Sequence, residues 1–153
     1  MTGDKPIIIS ACLAGYSCRY DGRHKEMPYL KERVKRGEVI PLCPEQLGGL
    51  PTPRSKAQIE GGDGLDVLSG KARVVDENGM DVTRQFLRGA DEVLKLARDL
   101  GAVKALLCDG SPSCGPRYIR RGAGVVEGMG VCAALLLSER IVIEAPNRKG
   151  GSG

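Results

Sequence analysis

Three short apolar runs of this 153-residue chain each end at a cysteine, and this recurrence constrains the fold more than any other feature. The runs are KPIIISAC, EVIPLC and AVKALLC, which end at Cys12, Cys43 and Cys108. Each has the length and composition of a strand that is buried on both faces. Because helical segments lie between them, they predict a parallel sheet whose carboxyl ends gather these cysteines on one rim.

Apolar residues recur at helical spacing between these runs. The spacing predicts helices at 25–36, 83–100 and 130–138, and RIVIE predicts one more strand. GKARVVDENGMDVT predicts a hairpin about Asn78-Gly79, whereas the prolines and glycines of CPEQLGGLPTPR predict an irregular loop. We therefore predict an α/β fold with a mainly parallel sheet flanked by helices. A single domain over residues 1–146 would precede a flexible tail at 147–153.

Composition limits the partners that the chain can have. Aromatic residues make up only 3% of the chain, which leaves little material for a base-stacking platform. The net charge of +4 tolerates an anionic ligand but does not indicate nucleic acid. Neither a signal peptide nor a stretch long enough to span a membrane is visible, so we expect a cytoplasmic protein with no membrane partner. In that reducing compartment the six cysteines favour metal binding or catalysis over disulfides.

The six cysteines do not all have the same predicted role. Cys132 lies in the apolar run VCAALLL and is predicted to be a core residue. Cys108 is either the last core residue of its strand or part of the rim. Four others lie in or beside loops: Cys12, Cys18, Cys43 and Cys114. They lack the close C-x-x-C pairs of structural zinc sites, so an iron–sulfur cluster fits them at least as well as zinc.

Two polar side chains accompany the loop thiols. Glu45 follows Cys43 by two residues, and Ser111 precedes Cys114 by three in DGSPSCGPR. Near a metal, a carboxylate can deprotonate water and a hydroxyl can relay a proton. The alternatives are a solvated loop carboxylate and a turn-forming serine. The arginines of RYIRRG predict a solvated face or, less directly, a phosphate contact.

Several motifs occur together in a known order: ISACLAGYSCRYDG, PLCPEQLGGLPTPR, DVLSGKARVVDENGMDVT and GSPSCG. With them the chain resembles the thiouracil desulfidase family from Ile7 to Glu144. The resemblance implies a single Rossmann-like domain and a 4Fe-4S cluster in which one iron has no protein ligand. It also implies hydrolytic removal of sulfur from a thiolated pyrimidine. By motif, the cluster ligands would be Cys12, Cys43 and Cys114, and Cys18 would not be a ligand.

The resemblance also suggests roles for the polar residues. Glu45 would handle the proton of the attacking water, Ser111 would transfer a proton or contact substrate, and Ser113 is a further substrate-contact candidate. Some relatives with a second domain act on thiolated transfer RNA. The absence of such a domain here favours a thiolated base, nucleoside or nucleotide as the substrate. A structural metal site or a redox-sensing cluster without turnover is the alternative function.

Overall fold

The computed structural model describes residues 5–147 and alternates strands with helices in its first and last parts. The strands in chain order are β1 (Ile7–Ser10), β2 (Val39–Leu42), β3 (Ala57–Glu60), β4 (Arg73–Asp76), β5 (Lys104–Leu106), β6 (Tyr118–Arg121), β7 (Gly124–Glu127) and β8 (Val142–Glu144). The helices are α1 (Pro28–Lys35), α2 (Pro44–Leu47), α3 (Gly64–Leu68), α4 (Thr83–Leu100) and α5 (Val131–Ser138).

The main sheet has four strands in the order β2-β1-β5-β8, and every neighbouring pair is parallel. In its register, Ile8 of β1 lies between Ile40 and Ala105. Alternate residues of β1 pack on opposite faces of the sheet. Ile8 joins a core with α4 and α5, whereas Ile9 joins a smaller core with Leu30 of α1. The predicted α/β class with a parallel sheet covered by helices is thereby confirmed.

The longest helix, α4, has the bounds that its apolar spacing predicts. Its inner face is buried along the whole length, from Phe86 through Val93 to Ala97. Gly101 ends it with a φ of 70°, a left-handed conformation that glycine adopts without a steric penalty. Helices α1 and α5 begin later than predicted, at Pro28 and Val131.

The segment after Cys43 differs from the prediction of an irregular loop. Residues Pro44–Leu47 form the short helix α2, with Cys43 in the N-cap position. Pro44 is compatible with this start, because proline at the first helical position has a preset φ and loses no hydrogen bond there. Glu45 is consequently in the first turn of a helix rather than on a loop.

The predicted hairpin about Asn78-Gly79 is only partly correct. The turn itself forms, since the N–H of Asp76 donates to the carbonyl of Met80 at 2.9 Å. The strand partner is different: β4 pairs antiparallel with β3, and only an isolated bridge joins Val75 to Asp81. Strand β3, helix α3 and the antiparallel hairpin β6–β7 were not predicted.

The single domain over residues 1–146 remains a prediction. Of the predicted tail, all residues after Asn147 lie outside the part of the chain that the structure describes. Within residues 5–147, no helix has both the length and the apolar character needed to cross a membrane.

Candidate metal centre and active site

The three cysteine-bearing strand ends meet at one edge of the sheet, as predicted. Cys12 follows β1 within a 3-10 turn over Ala11–Ala14, and Cys43 directly follows β2. Because β1, β2 and β5 are parallel neighbours, their carboxyl ends open on the same side, where there is a cavity of about 330 Å³. Five of the six cysteines line this cavity: Cys12, Cys18, Cys43, Cys108 and Cys114.

The thiols of this group interact directly. Hydrogen bonds to Cys108 and Cys18, together with burial, raise the pKa of Cys12 far above that of a free thiol. Cys18 is the acceptor, and hydrogen bonds from Cys12 and Cys43 lower its pKa to about 3. The pKa of Cys43 is raised, first by its bond to Cys18 and then by burial. The thiols of Cys12, Cys18 and Cys43 therefore lie close together, and the Cys43 thiol also donates to the Cys18 carbonyl oxygen at 3.7 Å.

This donor set is suited to soft metals. Thiolates bind iron–sulfur clusters and zinc, and buried thiols must release protons to do so. Burial raises the pKa of Cys114 to about 12, so its deprotonation needs a strong cation nearby. Within residues 5–147, no group of three or more Cys, His, Asp or Glu side chains is arranged to hold a single metal ion. In an iron–sulfur cluster the separate irons each take one thiolate, so thiols that come from separate segments around one cavity fit such a group.

Cys114 is held in place by its own loop and by α5. The Ser111 hydroxyl oxygen accepts hydrogen bonds from the backbone N–H groups of Ser113 at 3.1 Å and Cys114 at 3.0 Å. On the other side, the N–H of Cys132 donates to the Ser113 carbonyl at 2.8 Å. A Cβ at Gly130 would lie 2.5 Å from the Ser113 carbonyl carbon, so the loop and the start of α5 are in backbone contact. Cys114 is thus fixed on two sides.

The Glu45 carboxylate is held at both oxygens and is not a solvated loop group. Its Oε1 accepts from Nε of Arg54 at 2.9 Å, and its Oε2 accepts from the Ser113 hydroxyl at 2.8 Å. Only 13% of the Glu45 side chain is exposed. The carboxylate lines the same cavity as the cysteines, where it can receive a proton from a bound water.

The two serines form a chain that ends on this carboxylate. The hydroxyls of Ser111 and Ser113 are 3.0 Å apart. A hydroxyl can donate only one hydrogen bond. Because the Ser113 hydroxyl donates to Glu45, the Ser111 hydroxyl is the donor in its bond with Ser113. Ser111 therefore both forms the turn and begins a hydroxyl relay. Ser113 is only 2% exposed and links the relay to the carboxylate. The catalytic roles of Glu45 and Ser111 and the substrate contact of Ser113 stay predictions.

The other cysteines occupy the following places. Cys132 is fully buried in the core, as predicted. Cys108 satisfies both of its alternatives, because it is 3% exposed and also lines the cavity beside Cys12. Cys18 lies among the predicted ligands, and the contacts alone do not separate it from them.

Two arginines of the cavity were not predicted as site residues. Arg54 belongs to the PTPR stretch, and its side chain is 6% exposed beside Glu45. Arg120 belongs to RYIRRG, which was predicted to be a solvated face, and for this residue the prediction is wrong. Its guanidinium lies 5.0 Å from the Tyr20 ring centroid and donates to the Ala57 carbonyl at 3.3 Å. Burial lowers the pKa of Arg120. Because side chains alternate along β6, Arg120 lies on the face opposite to the buried Ile119 and lines the cavity.

Comparison with known proteins identifies the family. The family model described as 2-thiouracil desulfurase matches residues 7–147. The chain belongs to this family. The chain is also similar to the uncharacterized protein YbbK of Bacillus subtilis (strain 168). It is 41% identical over 133 residues, which cover 85% of this chain and 88% of YbbK.

A solved structure shows the same fold. The structure of this chain is similar to that of the 4Fe-4S-dependent thiouracil desulfidase TudS, with a TM-score of 0.82 and 39% sequence identity. The similarity covers 93% of this chain and 91% of the TudS chain. The resemblance noted in the sequence motifs is therefore confirmed at the level of the family.

Proposed function

We propose that the chain is a 4Fe-4S-dependent desulfidase acting on a small thiolated pyrimidine. The substrate would be 2- or 4-thiouracil as the base, nucleoside or nucleotide. The observation that carries the proposal is one cavity at which five thiols meet the Glu45–Ser113 pair. Its volume of about 330 Å³ is at the lower end of ligand pockets, which suits a small heterocycle. Family membership and the likeness to TudS support the same activity here.

The cluster would be held by Cys12, Cys43 and Cys114. They come from three separate segments around the cavity, and each segment is anchored by the main sheet or by α5. Held by these three cysteines, the cluster would supply one iron without a protein ligand, a Lewis acid suited to a soft thiocarbonyl sulfur. The remaining cavity thiols, Cys18 and Cys108, would pack beside the ligands.

The residues of this chain would supply the proton chemistry. Glu45 would accept a proton from the water that attacks the carbon bearing the sulfur. The C–S bond breaks as the C=O bond forms, and the sulfur departs as hydrosulfide, so no electrons are gained or lost overall. Arg54 and Ser113 keep the two carboxylate oxygens in place during this step. The Ser111 hydroxyl, linked through Ser113, would return a proton to the leaving group or contact the substrate.

Anaerobic reconstitution followed by an activity assay tests the proposal. We expect about four irons per chain with matching acid-labile sulfide. The loaded protein should convert thiouracil to uracil with release of one sulfide for each uracil formed. Glu45→Gln should keep the iron and lose turnover. Loaded protein that is inactive on every thiopyrimidine base, nucleoside and nucleotide would overturn the proposal in favour of a redox-sensing cluster. Protein that takes up only zinc would indicate a structural metal site.

A further inference from the structure

We propose that Arg54 is a positioning residue of the desulfidase site, which fixes the Glu45 carboxylate relative to the Cys43 sulfur. The inference rests on the function proposed above. It adds a residue to which neither the sequence motifs nor the family comparison assigns a role.

The Arg54 guanidinium is in contact with three parts of the site. Its Nε donates to Oε1 of Glu45 at 2.9 Å. Nη2 donates to the Cys18 carbonyl oxygen at 2.8 Å, and the same nitrogen lies 4.0 Å from the Cys43 sulfur. Nη1 donates to the Thr52 hydroxyl at 2.9 Å and to a second loop oxygen. All three nitrogens are engaged, and the orientation of the planar group is fixed.

The backbone of Arg54 is anchored as well. Its N–H donates to the Tyr20 carbonyl at 2.8 Å. Arg54 thereby links the loop after β1, the start of α2 and its own loop. A lysine has a single nitrogen on a flexible stem and cannot make these contacts together.

Energetics indicate that position, rather than stability, is the main role of this ion pair. The attraction within a buried ion pair offsets little more than the free energy lost when its two charges leave water. Such a pair is therefore a weak source of net stability. Orientation has a larger effect on chemistry, because a displacement of about 1 Å at a reacting group can cost about 100-fold in rate. Without Arg54, Glu45 would keep only the Ser113 bond and would be free to rotate about it.

The test compares Arg54→Ala and Arg54→Lys with a matched control. Arg33→Ala removes an arginine of helix α1 whose Nε contacts Oε1 of Glu38 at 3.1 Å and whose side chain does not line the cavity. In iron-loaded Arg54→Ala we expect kcat to fall about 100-fold with little change in KM. Arg54→Lys should lose nearly as much, and Arg33→Ala should match the wild type. Millimolar guanidinium should restore part of kcat to Arg54→Ala and none to Glu45→Gln, a rescue that a merely structural role does not produce.

The reduction potential of the reconstituted cluster gives a readout without turnover. Hydrogen bonds to cluster sulfurs raise the potential, so Arg54→Ala should shift it to a more negative value and Arg33→Ala should not. If the wild type is inactive on thiopyrimidines, the proposed function fails, and the potential alone decides the role of Arg54. A loaded Arg54→Ala with wild-type kcat or, in an inactive protein, an unshifted potential overturns the inference. Should Arg54→Ala not fold, Arg54→Lys is judged by the same two measurements.

Discussion

Helix α2, which carries Glu45, touches α4 so closely that a single methyl group should displace it. A Cβ at Gly89 would lie 1.9 Å from the Pro44 carbonyl oxygen, and one at Gly48 would lie 1.9 Å from the Gln85 carbonyl oxygen. Ordinary contact begins at 3.4 Å, so Gly89→Ala requires the two backbones to separate by about 1.5 Å. The substitution therefore tests whether this contact sets the position of the carboxylate.

Two opposing effects determine the stability of Gly89→Ala. Alanine is better than glycine in a helix interior by up to about 1 kcal/mol. Overpacking costs about 1–3 kcal/mol, and the upper end applies because the opposing atoms are backbone, which cannot rotate away. We expect a net loss of about 2 kcal/mol, or roughly 4–8 °C in Tm for a chain of this size. Because the separation exceeds 1 Å, kcat should fall by about 100-fold.

Thermal unfolding and steady-state kinetics of the loaded variant measure both effects. Asp91→Ala is the control, because Asp91 lies on the exposed side of the same helix and its replacement gains up to about 0.7 kcal/mol of helix propensity without a clash. It should be as stable as the wild type or slightly more stable, with unchanged kcat. A Gly89→Ala protein that gains stability like Asp91→Ala and keeps its kcat would refute the reasoning. The backbone contact would then not position Glu45.

Three further predictions concern the ligands, the relay and helix α4. Cys114→Ala should lose its iron on reconstitution, whereas Cys132→Ala, in the core behind it, should retain iron by chemical analysis. Ser113→Ala should keep iron and lose about 10- to 100-fold in kcat, because a hydrogen bond to a charged group is worth about 1.5–3 kcal/mol; unchanged kinetics would exclude the relay. Hydrogen bonds from the Thr83 hydroxyl and N–H lower the pKa of Asp81. The stabilisation that these bonds give is therefore complete above pH 3.8, the pKa of the Asp81 carboxyl in the unfolded chain, and is lost as pH falls through the lowered pKa of the folded state. The difference in Tm between the wild type and Asp81→Ala should consequently shrink below pH 3.8.

Local patterns explain why so much of the fold was predictable. Helix α4 is specified by its own apolar stripe and C-terminal glycine, and the strands of the main sheet by continuous apolar runs. The pairing of β3 with β4 depends on segments separated by a whole helix, and neither has a run of apolar residues that marks its partner. The hairpin signal at Asn78-Gly79 was real, but it specifies a turn and not the strand that pairs beside it.

The site was likewise predictable where it depends on local patterns and unpredictable where it depends on tertiary contacts. The meeting of Cys12, Cys43 and Cys108 follows from strand direction alone, so the sequence predicts it. The partners of Glu45 do not follow from any local rule, because Arg54 and Ser113 reach it from separate loops. Sequence spacing identifies side chains that can carry chemistry, and tertiary packing decides which of them share a hydrogen bond.

The site has two halves that are supported in different ways. The Cys114 half rests on α5, whose first N–H groups donate to the loop carbonyls and whose first four residues are buried. The Glu45 half rests on α2, a single turn that is kept in place by the Gly48–Gly89 contact and by Arg54. Loosening the second half should leave the metal ligand in the first undisturbed. Cys43 belongs to the second half as the N-cap of α2, so substitutions at the α2–α4 contact should lower both the iron content and the turnover per iron, whereas Cys114 should stay in place. Full iron content in Gly89→Ala would show that Cys43 is held independently of α2.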